Sequence, residues 1–202
     1  MRISFASKTL TLLMTVGIAV APICVAQSEG TGQDIVPRTL EVLDVGYKLP
    51  IEIVAVRNLV KRTHWLRDLE LEIKNVSYKP IYGVYFVLSL PDDKDTPNSS
   101  YGVHLEYGRF FHPGQPASAD GKPIATGETV LLKVDEPLWS GYENHLAHVT
   151  LSEQASYKVR LMVLAINFGD GTGFINGGVP YPRDPREGSR QQRYVRIPVD
   201  SK

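Results

Sequence analysis

The chain has 202 residues with 22 basic and 22 acidic side chains, and a single cysteine. A charge balance of this kind argues against a dedicated nucleic-acid binder, which needs a strongly basic face. One cysteine excludes an internal disulfide framework and any metal centre built on several thiolates.

The first residues have the form of an export signal. Arg2 and Lys8 supply a positive start, Leu10 to Val20 an apolar stretch, and Cys24-Val25-Ala26 small residues at the cleavage position before Gln27. Ala19-Val20-Ala21 fits the same pattern, but Pro22 follows it and disfavours cutting there. Lipid anchoring on Cys24 is the rival reading, and Ala21-Pro22-Ile23 lacks the small residue expected just before a lipidated cysteine. The apolar stretch is short for a membrane span, and no later stretch is apolar enough for a transmembrane segment, so the expected location is secreted or periplasmic. Removing residues 1–26 leaves 176, a single-domain length, and takes Cys24 with them. Arg2 and Lys8 leave too, so 20 basic residues face 22 acidic ones. Such a domain has no disulfide and is held by its core alone.

Residues 27–36 are mostly small and polar and read as a flexible leader; the domain proper is 37–202. Thr39 to Val45 and Ile51 to Val56 are β-prone and separated by Gly46 and Pro50. In the second, Ile51, Ile53 and Ala55 take one side and Val54 and Val56 the other, which predicts a strand covered on both faces. Leu69 to Lys74 alternates aliphatic and charged residues strictly, the pattern of a half-buried strand. Asn75 to Pro80 carries turn chemistry, Ile81 to Leu90 is a further strand, and Pro91 to Ser100 a loop. Tyr101 to Phe111 is an aromatic-rich strand, His112 to Gly127 a glycine- and proline-rich loop, and Glu128 to Val134 extended. Glu136 to Ala155 is the one helical candidate, because Leu138, Tyr142, Leu146 and Val149 fall on one stripe, although Gly141 weakens it. Tyr157 to Phe168 is the longest alternating run and predicts the central strand of a sheet. It ends in the turn Phe168-Gly169-Asp170-Gly171-Thr172. Val179 to Gln192 is a proline- and arginine-rich excursion, and Tyr194 to Val199 a last strand.

Seven to nine short strands with at most one helix, no βαβ alternation and no fixed repeat predict an all-β chain: an immunoglobulin-like antiparallel β-sandwich with one short helix. The residues Asn167-Phe168-Gly169-Asp170-Gly171 resemble the strand-to-turn signature of PKD repeats, an immunoglobulin-like family of extracellular modules. The order of Asn75 to Ile81, Gly127-Glu128 and the late FGDGT turn is similar to that of uncharacterised exported bacterial immunoglobulin-like proteins. The resemblance implies a sandwich fold and no activity.

Asp170 and its neighbours concentrate oxygen atoms, but calcium takes six to eight oxygens and commonly several carboxylates, whereas one carboxylate is local here. A hairpin turn capped by Asp170 is the favoured reading. Glu143, His145 and His148 are the nearest approach to a metal cluster; their spacing is not that of zinc peptidases, and His64, His104 and His112 are scattered. No nucleophile elbow is present. Ser99, Ser100, Ser140 and Ser189 sit in loops or beside Gly141, and the acid pairs Asp92-Asp93 and Asp135-Glu136 read as solvated. No catalytic, cofactor or metal residue is assigned. The expected binding surface draws on Trp65 with Arg62 and its basic neighbours, on Tyr85 and Tyr107 from the aromatic strands, on Asp170, and on Arg186 and Arg190 of the C-terminal excursion. About half of Tyr82, Tyr85, Tyr101, Tyr107, Phe110 and Phe111 should face outward. The expected role is non-catalytic binding or structure, with an extracellular protein or a polysaccharide as partner. One alternative is a carbohydrate-binding module carrying a file of exposed aromatics. The other is an extracytoplasmic hydrolase or metal enzyme with a pocket of converging His and acidic groups.

Overall fold

A computed structural model describes residues 38–44, 46–91, 100–109, 112–148, 157–186 and 192–199. The expected signal and leader lie outside the described residues, as do Asp92-Asp93, Ser99, Phe110, Phe111, Val149, Ser189 and Arg190. Among the described residues ten strands and two helices form in chain order: β1 (Thr39–Asp44), β2 (Ile51–Arg57), α1 (Trp65–Asp68), β3 (Glu70–Asn75), β4 (Gly83–Pro91), β5 (Ser100–Tyr107), β6 (Thr129–Lys133), α2 (Glu136–Leu146), β7 (Lys158–Asn167), β8 (Gly173–Ile175), β9 (Val179–Tyr181) and β10 (Arg193–Ile197). The protein is all-β in character, and its strands divide between two sheets.

The larger sheet runs β10-β1-β7-β4-β5, with the β8–β9 hairpin attached to β7. The run predicted as central is central: β7 pairs with β4 on one edge, and with β1 and then β8 along the other. Val159, Leu161 and Val163 are buried, while Lys158 and Arg160 are exposed, as a period of two requires. The smaller sheet is β2-β3-β6. Its inward side chains Val56, Leu71, Ile73 and Leu132 join Leu40, Phe86, Leu88, Leu105 and Leu161 of the larger sheet in one core. Burying this apolar area is the main term holding together a domain without disulfides.

Three expectations need correction. The ladders are antiparallel except one, since β1 lies parallel to β7 with Leu40 opposite Val159 and Val42 opposite Leu161. Two parallel neighbours require a long connection, and here nearly the whole domain supplies it. The β2 strand is not covered on both faces: the register against β3 slips between Ile53 and Ala55, and Val54 stands 50% exposed. That bulge turns Ile51 and Val56, an odd number of residues apart, toward the same core. The helix is shorter than predicted, ending at Leu146, with Tyr142 buried and Leu138 and Leu146 packed against the core. Pro137 sits in its first turn, where a missing N–H costs no hydrogen bond. Among the described residues no helix is long and apolar enough to cross a membrane.

Candidate functional site

The end of the larger sheet where β7 stops and β4 starts is organised by two buried asparagines. Asn75 closes β3. Its side-chain amide donates to the carbonyls of Lys79 and Ile124, both at 2.9 Å, and its Oδ1 accepts from the backbone N–H and hydroxyl of Ser77. Asn167 closes β7, and its amide donates to the carbonyls of His112 and Gln115, both at 3.1 Å, while its Oδ1 accepts from the Gly169 N–H. A buried amide with all its groups engaged holds its partners firmly, because releasing any one leaves a polar atom dry. The glycine- and proline-rich segment after residue 112 is therefore tied down. It also forms β-bridges from Pro116 to Asp170 and from Ile124 to Ile81.

Tyr82 stands at the centre of this end. A Cβ on Gly169 would meet the Tyr82 ring at 2.6 Å and Ala117 at 2.7 Å, and Gly169 has a φ of +76°, so only glycine suits both the turn and the ring. On another side the ring approaches Gly121. Gly108, at φ +72°, lets the chain leaving β5 lie directly on the Tyr82 carbonyl. Tyr107, the last residue of β5, donates its hydroxyl to the Lys122 carbonyl at 3.1 Å and so fastens the loop to the sheet. Burial, reinforced by the Glu128 carboxylate, raises the Tyr107 phenol above its ordinary pKa, which keeps it a neutral donor.

Between these walls lies a cleft of about 260 Å³ lined by Tyr82, Tyr107, Arg109, Ser118, Asp120 and Lys122. Arg109, Asp120 and Lys122 are exposed and, among the described residues, form no ion pair. Elsewhere Arg57, Lys61, Lys79, Lys133, Lys158 and Arg193 are each held by a carboxylate. The cleft thus combines two fixed aromatic rings with charged groups that have no ion-pair partner among the described residues.

The residues singled out from the sequence go to different places, and of them Tyr82 and Tyr107 line this cleft. Trp65 is not a surface residue: it is fully buried in α1, edge-on to Tyr142 and Tyr157. The guanidinium of Arg38, itself buried, lies 4.8 Å from the Trp65 ring centre and donates to the carbonyls of Leu59 and Lys61. The basic neighbours that made Trp65 look exposed are solvated, while the indole turns under them. Arg62 is exposed in the loop before α1. Tyr85 points to the outer face of the larger sheet, half-buried, with its hydroxyl 2.6 Å from His104 Nδ1. Arg186 lies along Asp184, at 3.1 Å. Tyr101 and Tyr107 pack against the core and Phe86 is inside it, so the described aromatics do not form a file along one face.

Asp170 is a turn residue. Its Oδ1 accepts from the Thr172 N–H at 3.0 Å and the Thr172 hydroxyl at 2.5 Å, and its Oδ2 from Lys79 Nζ at 2.7 Å. These bonds, the one from Lys79 foremost, hold its pKa down to about 2. Glu143, His145 and His148 do not converge. Glu143 meets His64 Nδ1 at 2.9 Å, His145 stacks on Tyr101 with centroids 5.0 Å apart, and His148 Nδ1 lies 2.8 Å from its own helix's Asn144 carbonyl. Among the described residues no three His, Cys, Asp or Glu side chains gather as metal ligands.

Of the cleft residues, Arg109, Ser118, Asp120 and Lys122 went unnoticed in the sequence. Ser118 to Lys122 reads as ordinary loop composition, and Arg109 as the charged end of a strand. Fold and cleft together define a two-sheet β protein with a ligand-sized recess at one end of its larger sheet. No family model, curated protein or solved structure matches the chain.

Proposed function

We propose that the protein is an exported, non-catalytic binding protein of immunoglobulin-like sandwich fold, and that the Tyr82–Tyr107 cleft is where it holds its ligand. The sandwich reading is supported by two mostly antiparallel sheets sharing one core and by the FGDG hairpin turn between β7 and β8. Export is supported by the charged, then apolar, then small-residue order of residues 1–26.

The observation that carries the binding assignment is the cleft itself. Its aromatic walls are immobilised by glycine backbone and a hydroxyl-to-carbonyl bond, while Arg109, Asp120 and Lys122 form no ion pair among the described residues. Walls fixed before binding reduce the ordering cost of association. Flat rings beside hydrogen-bonding groups suit a polyhydroxylated ligand, whose C–H faces stack and whose hydroxyls bond. This favours an oligosaccharide over an extended protein surface. Binding rather than catalysis is chosen because the histidines and acids named above turn to separate partners.

The test is a glycan-array screen of the mature protein followed by amide NMR titration with the hits. Shifts should concentrate at residues 107–109 and 118–122. Saturable shifts mapping to another face, or no binding on the array, would overturn the assignment. Mass determination of the exported protein should place Gln27 first.

A further inference from the structure

Resting on the cleft as a saccharide site, we infer that its ligand is an acidic oligosaccharide, with the anionic group held between Arg109 and Lys122. Two cations and one carboxylate border the recess, all exposed and, among the described residues, none engaged in an ion pair. The chain as a whole is balanced at 22 basic and 22 acidic residues, so this local excess does not reflect a generally basic protein. With a neutral sugar the recess keeps a net positive charge, which a carboxylate or sulfate on the ligand would match. Arginine's planar fork takes two oxygens of such a group at once, and lysine adds a mobile point charge. Asp120 and Ser118 are suited to sugar hydroxyls, the carboxylate as an acceptor and the serine as either partner. The two tyrosines supply the stacking surface. The carboxylate of Asp120 also disfavours ligands with an anion on every unit in close succession, so a polymer alternating acidic and neutral sugars fits best.

The experiment is calorimetric titration of the full mature chain with four probes of matched length: an oligomer alternating hexuronate with a neutral sugar, an alternating oligomer carrying sulfate in place of the carboxylate, a neutral oligomer and an acidic peptide. A carboxylated or sulfated sugar should bind about tenfold or more tightly than the neutral one, and its affinity should fall with added salt. The double substitution Arg109→Gln with Lys122→Gln should bring the acidic sugar's affinity down to about that of the neutral one while leaving the thermal midpoint unchanged, because neither side chain makes an ion pair among the described residues. Equal binding of acidic and neutral sugars, or an unaltered preference in the double variant, would overturn the acidic-ligand inference and leave the saccharide cleft standing. Tighter binding of the acidic peptide, or no binding by any probe, would overturn both.

Discussion

Asp170 shows how a single side chain sets a turn and reports on pH. Its carboxylate caps Thr172 and reaches Lys79, and these bonds hold its pKa down to about 2 from an ordinary 3.8. A carboxylate depressed in the folded state stabilises that state fully above its unfolded pKa, and the contribution disappears as pH falls through the folded value. Asp170→Asn keeps an oxygen for Thr172 and removes the charge facing Lys79. Its cost at neutral pH should be roughly 0.5–1 kcal/mol, the small figure proper to a half-exposed pair. Urea midpoints measured across pH should show the variant and the parent converging between about pH 4 and about pH 2. A gap that stays constant down to pH 2 would show that the loss lies in turn geometry and not in charge. The turn itself was readable from sequence, because Gly-Asp-Gly is local chemistry. Lys79 was not, since it arrives from 91 residues away, and the cleft that brings Arg109 and Lys122 to one recess is equally invisible until the chain folds.

At the scale of elements, what could be read depends on whether one face alone is buried. Leu69 to Lys74 alternates cleanly because β3 buries Leu71 and Ile73 and turns Glu70, Glu72 and Lys74 away from the core. β7 was equally clear for the same reason. β2 misled because its bulge breaks the period of two, and α1 because its buried indole is surrounded in sequence by Arg62, His64 and Arg67. Likewise Gly141 obscured α2; a Cβ there would meet the Tyr101 hydroxyl at 3.2 Å, a tight contact that glycine avoids. The bulge makes a sharp contrast testable. Val54 carries no cross-strand partner and is 50% exposed, whereas Ile73 is fully buried opposite Ile53. Val54→Thr should shift stability by no more than about 0.5 kcal/mol, and Ile73→Ala should cost about 2–5 kcal/mol through lost burial and a residual cavity. Denaturant unfolding of the two variants checks both figures. A large loss from Val54→Thr would show that the bulge is misplaced by one residue, with Val54 facing inward.

For the molecule as a whole, the decisive feature is that β7 is flanked along its length while β10 is bonded on one side only. β4 covers one edge of β7, and β1 and β8 divide the other. Among the described strands β10 pairs with β1 alone, although Arg160 of β7 lies over its Tyr194 ring and its Ile197 packs on the core; its residues 193–196 are exposed, with Tyr194 and Val195 at 44% and 39%. Local opening is governed by what must be broken to expose an amide. Freeing β7 requires separating β1, β4 and β8 and opening the core around Val159, Leu161 and Val163, which amounts to unfolding the domain. Freeing β10 requires breaking one ladder, the Arg193–Asp44 contact at 3.0 Å, the Arg160–Tyr194 contact and the edge packing of Ile197. Native-state hydrogen exchange should therefore give hydrogen-bonded β7 amides a protection free energy equal to the global stability from denaturant unfolding, with β10 amides well below it. The parallel β1–β7 pair sharpens the expectation. Because β1 sits between β10 and β7, peeling β10 away leaves β1 held by β7, and protection should step upward from β10 to β1 to β7. Equal protection across the three strands would mean that the larger sheet opens as one unit, and the assignment of β7 as its anchor would have to be given up.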